Sequence, residues 1–351
     1  MVAIGGGAPI AVQSMTKTLT HDIKATVAQI RRLDKAGCEI VRLAVPGDRA
    51  ASALAEIRRR VKMPLIADIH FDHRLALAAL RAGVDGLRLN PGTIGSRDKV
   101  REVVRAARER SVPIRIGVNS GSLEKALLRK YGEATPEAMV ESALDHIRLL
   151  EDMGFDLIKV SLKASDIART VAAYRLLAEK VDYPFHAGIT EAGGMFRGTV
   201  KSAVGLGILL SEGLADTVRV SLTAPPEEEA RVAYLILQNL GLRTRGINFV
   251  SCPICGRSEV DMMKIVPRVE RELASLRSPL TVALMGCMVN GPGEAREADI
   301  GLACGRGVGI LFRKGKLVRR IREDRIIPEF VAEVRRLAVE KNRQGSDKNH
   351  G

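Results

Sequence analysis

Four of the five cysteines lie beyond residue 250, and their spacing is the strongest chemical signal in the chain. Cys252 and Cys255 flank Pro253 and Ile254 as a C-x-x-C turn, whose sulfurs can converge on one metal or cluster. Cys287 follows in a Gly-rich stretch that runs through Asn290, Gly291, Pro292 and Gly293 to Glu294. Three chemistries fit this pattern. Structural zinc takes four thiolate or imidazole ligands, and no second C-x-x-C or nearby histidine completes that set. A dithiol redox pair uses Cys252 and Cys255 but gives Cys287 no part. An iron–sulfur cluster accepts three thiolates and a different fourth ligand, and a Gly-rich loop offers backbone N–H groups to its sulfides. Glu294 is then the candidate fourth ligand, with Cys304 as the alternative. The spacing favours the cluster and leaves zinc and the dithiol open. Cys304 and Cys38 read as buried core cysteines.

A second pattern is one cation between apolar neighbours, repeated in segments that read as strands. It occurs at Arg42, Arg88, Arg115, Lys159 and Arg219. Strand side chains alternate between faces, so the apolar flanks point one way and the cation the other. The same parity places Asn90 with Arg88, Asn119 with Arg115, Ser161 and Lys163 with Lys159, and Ser221 with Arg219. A buried cation needs a partner. Asp68, Asp72, Glu191 or another strand-end acid could pair with them, but six cations outnumber those few acids. The surplus implies an external anion, and arginine forks match phosphate oxygens. A small, multiply charged phosphorylated ligand is therefore expected. Glu191 is an acid placed where that anion would bind, either as a general acid or base or as a simple arginine partner. His70 and His186 read as hydrogen-bonded structural residues, and no paired-histidine spacing suggests zinc.

These residues need a frame. Short β-branched segments at 10–13, 40–45, 65–70, 86–90, 114–118, 157–162, 185–189 and 218–222 alternate with amphipathic patterns, among them 23–36, 74–82, 98–110, 136–153 and 168–180. Gly37, Gly83 and Gly154 stand where helices should end. Eight strand–helix repeats predict an α/β fold with an N-terminal (β/α)8 barrel, whose chemistry sits at strand C-terminal ends. An open doubly wound sheet is the runner-up, weakened by the lack of a G-x-G-x-x-G turn. A helix over 227–240 closes the barrel, and 241–246 reads as a basic linker. A small α/β domain follows, with a helix near 259–276, a strand at 280–285, two or three strands around 300–318 and a helix over 327–341. The expected domains are 1–242 and 247–341, with a frayed tail at 342–351.

Composition narrows the function classes. The 351 residues are 46% hydrophobic and 27% charged, which excludes wholesale disorder. No run approaches a membrane span, no basic leader precedes the first strand, and five cysteines cannot make a disulfide scaffold. A cytoplasmic protein is expected. The net charge of +14 would suit nucleic acid, but the excess is dispersed and only 3% of residues are aromatic. Stacking platforms for bases are scarce, so no nucleic-acid role is assigned.

The chain resembles the 4-hydroxy-3-methylbut-2-enyl diphosphate synthase family, the reductive iron–sulfur enzymes of the methylerythritol phosphate route. The matching segments are residues 7–16, 67–72, 113–119, 121–125, 188–194, 245–249 and 286–294, spread over about residues 4–340. The resemblance implies a barrel joined to a cluster domain of sulfite-reductase-like fold, in the short bacterial form. It implies 2-C-methyl-D-erythritol 2,4-cyclodiphosphate as substrate, opened by two electrons with loss of water. By motif, Cys252, Cys255, Cys287 and Glu294 would hold a 4Fe–4S cluster. Arg42, Arg88, Asn90, Arg115, Asn119, Lys163, Arg219 and Ser221 would clamp the substrate, and Glu191 would be the acid–base group. A homodimer and a ferredoxin or flavodoxin electron donor are also implied. The competing reading is a non-redox, pterin-synthase-like phosphate barrel with a structural zinc domain.

Overall fold

The computed structural model describes residues 2–90, 92, 94–288, 293 and 296–347, with side chains described as far as Arg343. Glu294, residues 289–292 and the end of the tail (348–351) lie outside the described residues. The chain divides into two compact units, one ending at Arg243 and one beginning at Thr244.

In the first unit eight short strands run parallel: β1 Ala11–Met15, β2 Ile40–Ala44, β3 Leu65–Asp68, β4 Gly86–Leu89, β5 Ile114–Asn119, β6 Ile158–Lys163, β7 His186–Ala187 and β8 Thr217–Val218. Hydrogen bonding follows the order β6-β5-β4-β3-β2-β1-β8-β7, and a bridge between Val160 and Phe185 joins β6 to the segment entering β7. The sheet thus closes into the expected barrel. Nine helices cover it among the described residues: α1 Ile23–Ala36, α2 Asp48–Arg60, α3 His73–Arg81, α4 Arg97–Glu109, α5 Lys125–Tyr131, α6 Pro136–Glu151, α7 Ile167–Ala178, α8 Met195–Ser211 and α9 Pro226–Asn239.

Local chemistry explains the boundaries. Asp22, Asp72, Thr135 and Asp166 accept backbone N–H bonds at the starts of α1, α3, α6 and α7, each worth about 1 kcal/mol. Gly37 ends α1 at φ 97°, a conformation that disfavours residues with a Cβ. The sequence pattern did not single out α2, α5 or α8. α8 holds three glycines, which lower helix propensity. Gly205 is there for contact, since a Cβ would stand 2.5 Å from Ile189 Cδ1. β7 and β8 are two residues each, shorter than their apolar runs suggested.

The second unit is a two-layer α/β domain. Its sheet, in order β13-β12-β11-β10-β9, is mixed. β9 Ile247–Ser251, β10 Leu280–Met285 and β11 Ile300–Gly305 are parallel, whereas β12 Val308–Arg313 and β13 Lys316–Arg322 continue as an antiparallel meander. α10 Met262–Leu273 and α11 Ile326–Asp347 contribute to the core cluster that includes Val269, Leu284, Leu302, Phe330 and Val334. β9 was not expected as a strand, because its half-buried residues give no clear alternation. α11 continues past the expected end at 341.

Candidate active site

The barrel places the cations as strand parity predicts. Val41, Leu43, Leu87, Leu89, Ile114, Ile116, Ile158 and Val160 belong to the apolar core. Arg88, Arg115, Lys159 and Lys163 are buried, and Arg42 and Arg219 half-buried. Ladder register sets Asp68 beside Arg88, Arg88 beside Arg115, Arg115 beside Lys159, and Asn119 beside Lys163. Asn119 and Asn90 are half-buried at the C-terminal ends of β5 and β4, and Ser221 lies three residues past β8. Asn90, Asn119, Lys163, Arg219 and Ser221 thus occupy strand C-terminal ends or the segments that follow them, whereas Arg42 lies in the middle of β2, Arg88 within β4, and Arg115 is the second of the six residues of β5.

Two buried carboxylates answer the six cations. Asp68 lies 3.2 Å from Arg88 Nη1 and 3.5 Å from Arg42 Nε. The second is Glu229 of α9, with its Oε2 3.6 Å from Arg219 Nε. Sequence reasoning missed Glu229 because it sits in the acidic triplet Glu227, Glu228 and Glu229, which reads as a solvated first helical turn. Its neighbours behave so, pairing with Arg32 and Arg231. The other acids considered do not neutralise the cup. Asp72 bonds Arg74 and caps α3, and Glu191 makes no ion pair among the described residues. The Arg115 atoms Nε and Nη1 are buried without a hydrogen-bond partner. Lys159 and Lys163 make no ion pair among the described residues.

Burial first, and crowded charges second, set the proton affinities. Burial raises the Asp68 carboxyl, but Arg42, a hydrogen bond from His70, Arg88 and Arg115 together hold it well below its usual range. Burial brings Arg42 down to about 9 despite Asp68, with Arg219 and Arg88 adding to the effect. Burial, then Arg115, brings Lys159 down to about 7. Lys163 is pushed well below the usual lysine value by burial and then by Arg115, Arg219, Arg42 and Arg88.

These shifts fix a sign. Unfolded lysine titrates near about 10.4, so between pH 7 and 10 the empty folded protein holds fewer protons than the unfolded chain. The lysine contribution to stability is therefore greatest above that range and declines as pH falls, levelling off for Lys159 below about 7. A bound polyanion reverses the shift. Binding at pH 8 is expected to take up protons, read from calorimetric enthalpies in buffers of different ionisation heat; proton release would contradict the assignment.

Two glycines, unmarked in the sequence reading as space-makers, leave room for the cations. A Cβ on Gly117 would stand 2.4 Å from Arg88 Nε, and one on Gly188 would stand 2.8 Å from Lys163 Nζ and 2.4 Å from the Arg219 carbonyl oxygen. Glu191 follows Gly188 in the β7–α8 loop, exposed and at φ 53°. That left-handed backbone is costly for a residue with a long side chain. His186 is buried, with Nδ1 2.8 Å from Thr217 Oγ1 and Nε2 without a hydrogen-bond partner among the described residues. His70 lies beside Asp68 and Arg88.

In the second unit Cys252 follows β9, its N–H bonding Leu284 O at 3.0 Å, and Cys287 lies two residues past β10. The two loops touch: Glu259 N–H donates to Gly286 O, and a Cβ on Gly286 would stand 2.7 Å from Ser258 Oγ. Ile254 has φ 65°, an unfavourable conformation for a β-branched residue, and bends the C-x-x-C turn. All five cysteines are free thiols. Cys255 is exposed, and the Arg257 backbone N–H holds its thiol below its usual value. Among the described residues no three His, Cys, Asp or Glu side chains stand close enough to hold a metal ion. Three unpaired thiols on two adjoining strand ends still form a soft donor set suited to an iron–sulfur group. Cys304 is fully buried in β11 among the apolar core residues, and burial pushes its thiol up to about 12.

The chain is thus a (β/α)8 barrel lined with cations, followed by a cysteine-bearing α/β domain. Residues 1–234 match the family model described as the GcpE TIM-barrel domain, and residues 248–336 that of the GcpE protein C-terminal domain. The chain belongs to the GcpE family. It is 61% identical over 341 residues to the 4-hydroxy-3-methylbut-2-en-1-yl diphosphate synthase (flavodoxin) of Geobacter sulfurreducens, covering 97% of each chain. It is 60% identical over 344 residues to the synthase of the same name from Maridesulfovibrio salexigens, covering 98% of this chain and 96% of that one. A solved dihydropteroate synthase from Stenotrophomonas maltophilia resembles 66% of this chain and 93% of its own, at 15% identity and TM-score 0.49. That likeness is too distant to bear on activity.

Proposed function

We infer that this chain is a reductive synthase that opens 2-C-methyl-D-erythritol 2,4-cyclodiphosphate to 4-hydroxy-3-methylbut-2-enyl diphosphate, with flavodoxin as electron donor. Two electrons and two protons enter, one carbon–oxygen bond of the ring breaks, and one water leaves. The observation that carries the reading is the cup itself: six cations against two carboxylates, in a chain 61% identical to a synthase of that name.

Arg42, Arg88, Arg115, Lys163 and Arg219 grip the diphosphate, and Asn90, Asn119 and Ser221 hydrogen-bond the remaining oxygens. Their fixed positions hold the ring in one orientation and spare the reaction that entropy cost. Glu191, on the β7–α8 loop, holds or moves a proton at its carboxylate beside the reacting carbons. Cys252, Cys255 and Cys287, with Glu294 as the fourth ligand, would hold a 4Fe–4S cluster, which supplies the electrons one at a time when bound. A homodimer belongs to the same reading. Exposed Phe196, Val200 and Val204, spaced along one face of α8, are apolar surface that a second copy would cover. Free thiols suit the reducing cytoplasm, and among the described residues no helix is long and apolar enough to cross a membrane.

Anaerobic turnover tests the reading. Purified protein should contain about four iron and four sulfide per chain and convert the cyclic diphosphate to the allylic diphosphate with a chemical reductant, read by product mass. Colourless protein with one zinc and no turnover would instead support the non-redox barrel, which the comparisons do not favour.

A further inference from the structure

β8 presents a structural problem. Its ladder with β1 ends at the pair Val12 and Val218, yet the positions assigned to substrate, Arg219 and Ser221, come after that point. On the other side Arg219 N–H still donates to Ala187 O at 2.9 Å. Toward β1, side chains replace the ladder.

Glu229 is their meeting point. It is 1% exposed. Its Oε2 accepts from Ser14 Oγ at 2.8 Å, and its Oε1 accepts from the Leu222 backbone N–H at 3.1 Å. Lys17 Nζ lies 3.0 Å from Oε1 and donates to the carbonyl oxygens of Leu222 and Ala224. Arg219 Nε completes the set at 3.6 Å from Oε2. One carboxylate thus ties β1 and the residues just past it to the extension of β8, and faces the arginine on that extension.

We propose that Glu229 is a positioning residue that aims Arg219 into the cup, with Ser14 and Lys17 as its supports. It touches no substrate. It provides negative charge behind the guanidinium and leaves the fork free for phosphate oxygens, while its bond to Leu222 N–H fixes the backbone next to Ser221. The proposal rests on Arg219 binding the diphosphate, so the test separates the two.

The test is a double-mutant cycle on the anaerobically purified holoenzyme without reductant, with affinity for the cyclic diphosphate measured by calorimetry. Arg219→Ala alone should weaken binding; if it does not, the role given to Arg219 fails. Glu229→Gln keeps the shape and loses the charge, and should weaken binding about tenfold in the native background. In the Arg219→Ala background the same change should cost less than about twofold, because the residue through which it acts is gone. An equal loss in both backgrounds means general structural damage and overturns the proposal, as does no loss in the native one. Should Glu229→Gln not fold, Ser14→Ala, which removes one bond to Oε2, carries the cycle. A loss of about threefold that vanishes with Arg219→Ala supports the positioning role, and one that persists, or none, rejects it.

Discussion

Replacing Glu191 by glutamine is expected to lower turnover by about a thousandfold, while affinity for the cyclic diphosphate stays within about twofold and iron content is unchanged. The reason is the residue's setting. The cup binds through cations on other strands, so removing one exposed carboxyl charge does not loosen the grip. What glutamine cannot do is carry a proton. The backbone supplies a second readout. Glu191 at φ 53° sits where a glycine would be more at ease, a strain of about 1–3 kcal/mol. Glu191→Gly should therefore be as inactive as the glutamine variant yet melt at a higher temperature. A fold that tolerates such strain at a solvent-exposed position gains nothing structurally from it. Steady-state rates, calorimetric affinity and melting curves on the three proteins decide the matter. Full activity in Glu191→Gln would remove the acid–base assignment.

Much of this arrangement is legible in the sequence because it follows from periodicity. A cation between β-branched neighbours can point only one way once the apolar flanks are buried, so the inward set at Arg42, Arg88, Arg115 and Lys159 follows from alternation alone. Glycine at helix ends is equally local, as Gly37 shows. What escaped was set by tertiary context. Glu229 is indistinguishable in sequence from Glu227 and Glu228, and only the packing of α9 against β1 turns one of the three inward. Gly117 and Gly188 look like ordinary strand glycines, and their necessity appears only when Arg88 and Lys163 occupy the space a Cβ would need. Ile254 gave no signal of a left-handed backbone, because β-branched residues disfavour it. β9 was hidden because its residues are half-buried on both faces. The fourth ligand position, Glu294, still rests on the motif, since it lies outside the described residues.

The sharpest test of the cup is a substitution that should stabilise the empty protein and disable it. Arg115 is buried, its Nε and Nη1 have no partner, and its ladder neighbours are Arg88 and Lys159. Methionine fills similar space without charge; replacing even a paired buried charge set by apolar volume is often neutral or stabilising by up to about 4 kcal/mol, and here no partner's attraction is lost with the unpaired atoms. Arg115→Met should therefore raise the melting temperature of the ligand-free protein by a few degrees. Lys159 and Lys163, each held down first by burial and next by Arg115, should titrate higher, so proton uptake on binding shrinks. Affinity for the cyclic diphosphate should fall at least about a hundredfold, because a fork aimed at phosphate oxygens is lost. The same substitution at Arg88 carries the opposite sign for stability. Arg88 is 3.2 Å from Asp68, and its removal leaves that buried carboxylate with Arg42 at 3.5 Å and His70 at 3.6 Å as its remaining partners, so the empty Arg88→Met protein should melt lower. Melting curves of the two variants, with and without substrate, give the comparison directly. If Arg115→Met instead lowers the melting temperature of the empty protein, its guanidinium is a paired structural group, and the surplus charge that implies a polyanionic substrate is not there.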